Sequence, residues 1–354
     1  MYSEDDINSA VAAGALSAEA AASFRSYMSE ARHLPRSSEE NFKLINSFND
    51  IFVSIGLVIL LIAVGSIGLT IHPFLAGVLI AAIAWPLAEF FTRTRRMALP
   101  SILLLLAFVG GVFGGGVALA FEVLRNASGS VGAFAISMCA LVAAIAAYVH
   151  WRRFMVPITV AAGSAALAAT IISLILAAIG PDTLSQTLVL SLVFVAGLAI
   201  FTFAMRWDIS DRERITRRSD VAFWLHLLAA PMIAHPIFHL IGVTGGDNIG
   251  IGAAVGVLGV YVAFGLIALA IDRRALLVSA LAYVLFALTF LFREFGAVEL
   301  NFALTALVIG SALLSLSAFW QPIRSAVVSA LPEDLQKKLP ATVDLPTGEQ
   351  PSAA

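Results

Sequence analysis

Ten long apolar segments follow one another along this chain, and nearly all of its basic residues fall in every second gap between them. A bilayer core is about 30 Å thick, and about 20 residues of apolar helix are needed to cross it. The segments read as residues 51–72, 74–91, 101–124, 131–148, 154–180, 187–205, 221–243, 250–271, 275–292 and 301–320. Strands of a membrane barrel would alternate polar and apolar residues over about 10 positions, and these segments do not alternate. In hydrocarbon a helix satisfies its own backbone donors and acceptors. The sequence therefore predicts an all-α fold, a polytopic membrane helix bundle of about ten transmembrane helices. Composition agrees: 60% hydrophobic and 12% charged residues, with mean hydropathy +0.95, are too apolar for a soluble domain of 354 residues.

Charge placement predicts the orientation. All but Arg125 and Arg293 of the 21 Lys and Arg residues lie before the first segment, in the even gaps or in the tail. The positive-inside rule then puts both termini in the cytoplasm. Trp151, Trp207, Trp224 and Trp320 fall at the same ends of these segments, where an amphipathic ring prefers the interface. A net charge of −2 carries no nucleic-acid footprint. Cys139 is the single cysteine, which excludes an intrachain disulfide and a cysteine metal cluster. The excess of Arg over Lys and the abundance of Ala and Gly point to a bacterial chain, hence to the inner membrane. The polar first fifty residues do not read as a cleavable signal peptide, so the first segment is expected to act as a signal anchor.

Three regions are expected. Residues 1–50 read as a cytoplasmic helical hairpin followed by an interfacial segment. Ser3 caps a first helix, Gly14 closes it in a left-handed conformation, and Ser17 caps a second helix. Residues 51–320 form the transmembrane domain, and residues 321–354 a short interfacial helix and a Pro-rich, disordered tail. The hairpin either decorates the membrane surface or docks a cytoplasmic protein partner through residues 1–40. The second helix "AGALSAEAAASFR" and the lead "EENFKLINSFNDIFVSIGLVILL" into the first segment resemble bacterial multi-pass membrane proteins with an N-terminal domain of unknown function, the family numbered 2157. The resemblance covers residues 5–70 and implies a membrane protein without assigned chemistry.

Ionisable groups at membrane depth are default functional candidates. Glu89 and Glu122 lie near segment ends, and segment seven concentrates the rest: His226, His235 and His239, with Pro231 and Pro236. Each proline removes a backbone donor, so a kinked helix lining a polar cavity is expected. His235 and His239 are four apart, and the inferred topology brings His72 to a similar depth. Packed histidines, a polar cavity and a three-histidine metal site are all open readings of these residues, and no metal is assigned. Gly110, Gly111, Gly114 and Gly115 of segment three, with Gly252 and Gly256 of segment eight, form small faces for helix packing. The Arg206 to Asp220 gap reads as a solvated, self-paired loop, with anionic lipid as the alternative.

No Walker loop, dinucleotide fingerprint, GxSxG elbow or HExxH motif is present. Neither an enzyme nor a cofactor is expected, and the bilayer is the one certain partner. Two functions stay open: a small-solute transporter or permease, and a non-catalytic sensor or assembly component that docks a partner through the hairpin. They differ in what segment seven should do, since a permease needs it to line a water-filled cavity.

Overall fold

The computed structural model describes residues 7, 10–14, 16–24, 48–125, 129–180, 185–212, 214, 216–242, 250–294 and 300–340. Among these, regular structure is helical throughout. The helices of the bundle are α1 (Phe48–Ile71), α2 (Pro73–Ala88), α3 (Ala98–Val123), α4 (Gly129–Phe154), α5 (Ile158–Ile179), α6 (Gln186–Ile209), α7 (Arg217–Leu240), α8 (Ile251–Ile271), α9 (Ala275–Glu294), α10 (Asn301–Ala318), α11 (Trp320–Ser329) and α12 (Glu333–Gln336). Helix α2 runs on through a π-helical stretch, Glu89–Thr94. Nine of the described helices are long and apolar enough to cross a membrane, and up to ten spans result if α10 and α11, bent by 73° at their junction, count as one.

Turns are built from the residues that sequence chemistry favours. The His72 ring caps α2 by accepting the Phe74 N–H at 3.1 Å, with Pro73 at the first helical position. Ser185 caps α6 by accepting the Leu188 N–H at 3.1 Å, and Thr216 caps α7. Successive helices pack closely as pairs α2 with α3, α4 with α5 and α6 with α7. Helix α7 also packs on α9 and α5, and α8 packs on α9 and α11. The largest core gathers Leu225, Ala229, Ala230, Ala234 and Phe238 of α7 with Ala204, Val257, Ala280 and Ala287.

Close approach depends on glycine at α2 and α3. A methyl group on Gly77 would collide with the Gly111 carbonyl oxygen and lie 2.5 Å from the Gly115 Cα. Gly111 and Gly115 therefore do the packing that the small face predicts. For Gly110, Gly114 and Gly252 the expectation is corrected. A methyl group on Gly110, Gly114 or Gly252 would meet nothing within 4 Å, and one on Gly256 would make ordinary contact with Ile241 at 3.6 Å. Glycines on the opposite side of α3 from α2 cannot serve the same interface. Polar stitches join helices elsewhere: the Ser137 hydroxyl donates to the Thr170 carbonyl at 3.0 Å, between α4 and α5.

The chain divides into two compact units, residues 42–341 and residues 1–41 with 342–354. The stretch 321–340 falls in the same unit as the bundle. In the smaller unit Gly14 has φ +71, and the Ser17 hydroxyl accepts the Ala20 N–H at 3.1 Å, as expected of a left-handed closure and a cap. Residues 10–12 and 18–24 are helical. The Ser3 cap, residues 41–47 of the interfacial segment expected over 41–50, and the tail beyond Pro340 lie outside the described residues, while 48–50 open α1.

Candidate functional site: a buried ion network at the basic end

The even gaps converge at one end of the bundle. Glu89 of the π-helical stretch accepts two hydrogen bonds from Arg153 of α4, at 2.6 and 3.0 Å. At the other end His72 meets Glu122 of α3 at 2.5 Å. The alternation read from the sequence is therefore a spatial one.

A buried network forms where α6, α7, the α8–α9 turn and α11 meet at the basic end. Asp208 sits in the last turn of α6 and is 1% exposed. Its Oδ1 accepts Arg273 Nη2 at 2.6 Å, and its Oδ2 lies 2.8 Å from His226 Nε2. Opposite an ionised carboxylate that imidazole nitrogen must carry a proton, so in neutral His226 the Nδ1 atom is an acceptor. Nδ1 is buried and has no hydrogen-bond partner among the described residues. Arg273 also donates to the Ser219 carbonyl oxygen at 3.1 Å and the Ser219 hydroxyl at 3.2 Å, which ties the first turn of α7 to the α8–α9 turn.

Asp272 ends α8 in a left-handed conformation, φ 55 and ψ 46. Asp tolerates that region better than most residues. Its Oδ1 accepts the Trp320 indole N–H at 2.6 Å and has Arg324 Nε at 3.7 Å. Its Oδ2 accepts Arg214 Nη1 at 2.8 Å. Arg214 Nη2 donates to the carbonyls of Ile271 and Asp272 at 3.0 and 3.1 Å, satisfying acceptors that the end of α8 leaves open. Burial, then the nearby Arg273 charge, pull the Arg214 guanidinium below its ordinary range, while Asp272 and Asp208 offset this. Beyond the spans, Arg324 donates to the Pro340 carbonyl at 2.7 Å and Arg212 to the Leu339 carbonyl at 2.8 Å. The post-helical segment is fastened to the bundle by backbone acceptors.

The Arg206 to Asp220 gap is thus only partly solvated and only partly self-paired: Arg206, Arg212, Arg217 and Arg218 are exposed, and Asp211 accepts the Thr216 N–H and hydroxyl within the gap. Asp208 and Asp211 are buried, and Arg214 pairs across to the next basic gap. A local pairing is the simplest reading of mixed charges in one loop, but arginine side chains reach the neighbouring turn when helix ends are packed side by side.

The six residues proposed as one polar cavity occupy separate settings. His226 belongs to the network and packs edge-on against Phe201 at 5.1 Å between ring centroids. His235, nine residues further along α7 and so about 13 Å away along its axis, is exposed and has Nδ1 2.6 Å from the Tyr283 hydroxyl. Pro231 is exposed, Pro236 buried and His239 half-buried. His72 is consumed as a helix cap and a partner of Glu122. No group of three His, Cys, Asp or Glu side chains suited to a metal ion occurs among the described residues.

Helix α7 is also continuous through both prolines, not interrupted. It is the most enclosed span, 56% buried against 6–33% for the others. Packed neighbours hold the helix across the two missing donors, as transmembrane helices tolerate. Gly197 of α6 assists, since a methyl group there would lie 2.9 Å from the Met232 Cβ.

Sequence reasoning missed Asp208, Asp272, Arg273, Arg324 and Trp320 as one constellation. The available signal was an acid within a turn of each neighbouring helix end, opposite arginines in a gap of the same parity. A second buried histidine was also missed: His150 of α4 is fully buried among Phe154, Phe108 and Trp85, with ring centroids 4.6, 5.9 and 6.2 Å away.

The chain matches no family model, no curated protein and no solved structure.

Proposed function

We propose that this chain is a non-catalytic component of a bacterial inner membrane, in which the bundle is a rigid anchor and the N-terminal unit docks a cytoplasmic partner. One observation carries the reading: residues 1–41 with 342–354 form one compact unit and residues 42–341 another. The bundle's packing supports it. The span richest in histidine and proline, α7, spends its interior face on core contacts, and His226 and His235 each have a side-chain partner. In the smaller unit Ala21 is buried and Phe24 exposed, which leaves an apolar side chain for a partner.

The reading takes both termini as cytoplasmic, from the basic residues of the even gaps. With Cys139 replaced by Ser, a cysteine at Arg95 should react only with permeant maleimide in intact cells, and one at Arg125 with an impermeant reagent. The reverse labelling would invert the orientation. For function, deletion of residues 1–40 should leave insertion intact and abolish complementation of a null strain. Full complementation by the shortened chain would sink the docking role.

A small-solute permease is the second reading, favoured by the Asp208–His226 pair within the ends of two spans and its unpartnered Nδ1 atom. Ionisable groups at such depth mark solute or proton paths by default. Retained function in the shortened chain, lost on Asp208→Asn, would favour it.

A further inference from the structure

Two arginines at the basic end stand apart from the ion network. Arg206, in the last turn of α6, and Arg218, in the first turn of α7, are both exposed. Neither has a carboxylate partner among the described residues, whereas Arg153, Arg214 and Arg273 all do. The two line an open groove of about 300 Å³ together with Phe203, Trp207 and Ser210. Two acids close to it in sequence are withdrawn: Asp208 is held by Arg273 and His226, and Asp211 by the Thr216 backbone N–H and hydroxyl at 3.0 and 2.7 Å. The Ser210 hydroxyl donates to the Trp207 carbonyl. The charged donors of the groove are therefore the two guanidiniums.

We infer that this groove holds the phosphate headgroup of an anionic phospholipid. Guanidinium forks match phosphate oxygens with paired donors. Trp207 lies at the depth where indole rings mark the membrane interface. From the groove, exposed Phe203, Leu198 and Val195 continue along α6 towards the middle of the span and give an acyl chain an apolar surface. A volume near 300 Å³ suits a headgroup with its chains left outside, at the small end of ligand sites. Charge, an aromatic lining and an apolar track in this order match a lipid better than a soluble anion, which would use the arginines and leave the track empty.

The test uses the full chain in nanodiscs of phosphatidylcholine with a graded fraction of phosphatidylglycerol, and counts retained lipids by native mass spectrometry. The wild type should retain phosphatidylglycerol selectively. Arg206→Gln with Arg218→Gln should weaken that retention about 30-fold, from two basic groups at the membrane surface. Arg95→Gln with Arg96→Gln removes equal charge at the same end and should change it less than about 3-fold. A lysine pair, Arg206→Lys with Arg218→Lys, should retain an intermediate affinity, since charge survives without the fork. Equal losses in the two glutamine pairs would mean diffuse attraction and overturn the site. Inorganic phosphate at 50 mM displacing the lipid completely would overturn the assignment to lipid, as would equal retention of phosphatidylcholine and phosphatidylglycerol by the wild type.

Discussion

Replacing Arg273 by Met tests whether the basic-end network holds the second half of the bundle together. The Asp208 and Arg273 side chains are 1% and 3% exposed, so the carboxylate left behind would be buried with His226 as its one remaining side-chain partner. With charge centres about 4 Å apart and an effective dielectric near 20, the lost attraction is about 4 kcal/mol. Breaking one side of a buried pair typically costs about 3–5 kcal/mol. Since His226 still binds Oδ2, we expect a loss near the lower bound, about 3 kcal/mol. Asp208→Leu with Arg273→Met removes both charges and should cost less than the single change, because a well-packed apolar pair does not pay the desolvation of two ions. The assay is reversible unfolding in mixed micelles as the SDS fraction rises, followed by tryptophan fluorescence. It is completed by the Asp208→Leu single variant, so that a double-mutant cycle isolates the pair. Coupling of at least about 2 kcal/mol is expected. A cycle additive to within about 0.5 kcal/mol, or a single Arg273→Met loss below about 1 kcal/mol, would refute the reasoning.

Gly77→Ala should destabilise by about 1–3 kcal/mol through overpacking, because its methyl group meets backbone of α3, while Gly114→Ala should be neutral or slightly stabilising in the same unfolding assay. Trp320→Phe removes the indole donor from buried Asp272 and should cost about 1.5–3 kcal/mol, the range for hydrogen bonds to charged groups; an unchanged midpoint would show that Arg214 alone suffices. His235→Ala with His239→Ala should leave the metal content of purified protein unchanged by elemental analysis, and a stoichiometric loss would restore a metal site on α7.

The bundle was legible because each of its causes is local. Twenty apolar residues report a span wherever they occur, and arginines cluster at one end whatever the helices do afterwards. Even the caps at His72, Ser185 and Thr216 rest on residues next to the helix they begin. The site was legible only in fragments. His226 stood out because histidine is rare in a span, yet its partner Asp208 reads as a loop acid until α6 is extended to Ile209. Asp272 looks like one more charge in a basic turn, and its meeting with Trp320 joins residues 48 apart. The prolines misled for a related reason. A missing donor predicts a break in isolation, but tertiary packing around Ala229, Ala230 and Ala234 decides whether the helix yields. Glycine spacing likewise reports that a face is small without saying which neighbour uses it, so Gly111 and Gly110 could not be told apart.

The way Asp272 is shared between Arg214 upstream and Trp320 with Arg324 downstream bears on biogenesis. Spans emerge in order from the N-terminus, so Arg214 can reach Asp272 once α8 and its turn are inserted. Trp320 and Arg324, and the Leu339 and Pro340 carbonyls that engage Arg212 and Arg324, come only after α10. A nascent bundle stalled before α11 would hold a half-satisfied carboxylate and an unfastened Arg212 at its basic face. Synthesis through Pro340 is therefore what closes that face, and a chain cut short at residue 318 should present a protease-sensitive end that one reaching Pro340 does not.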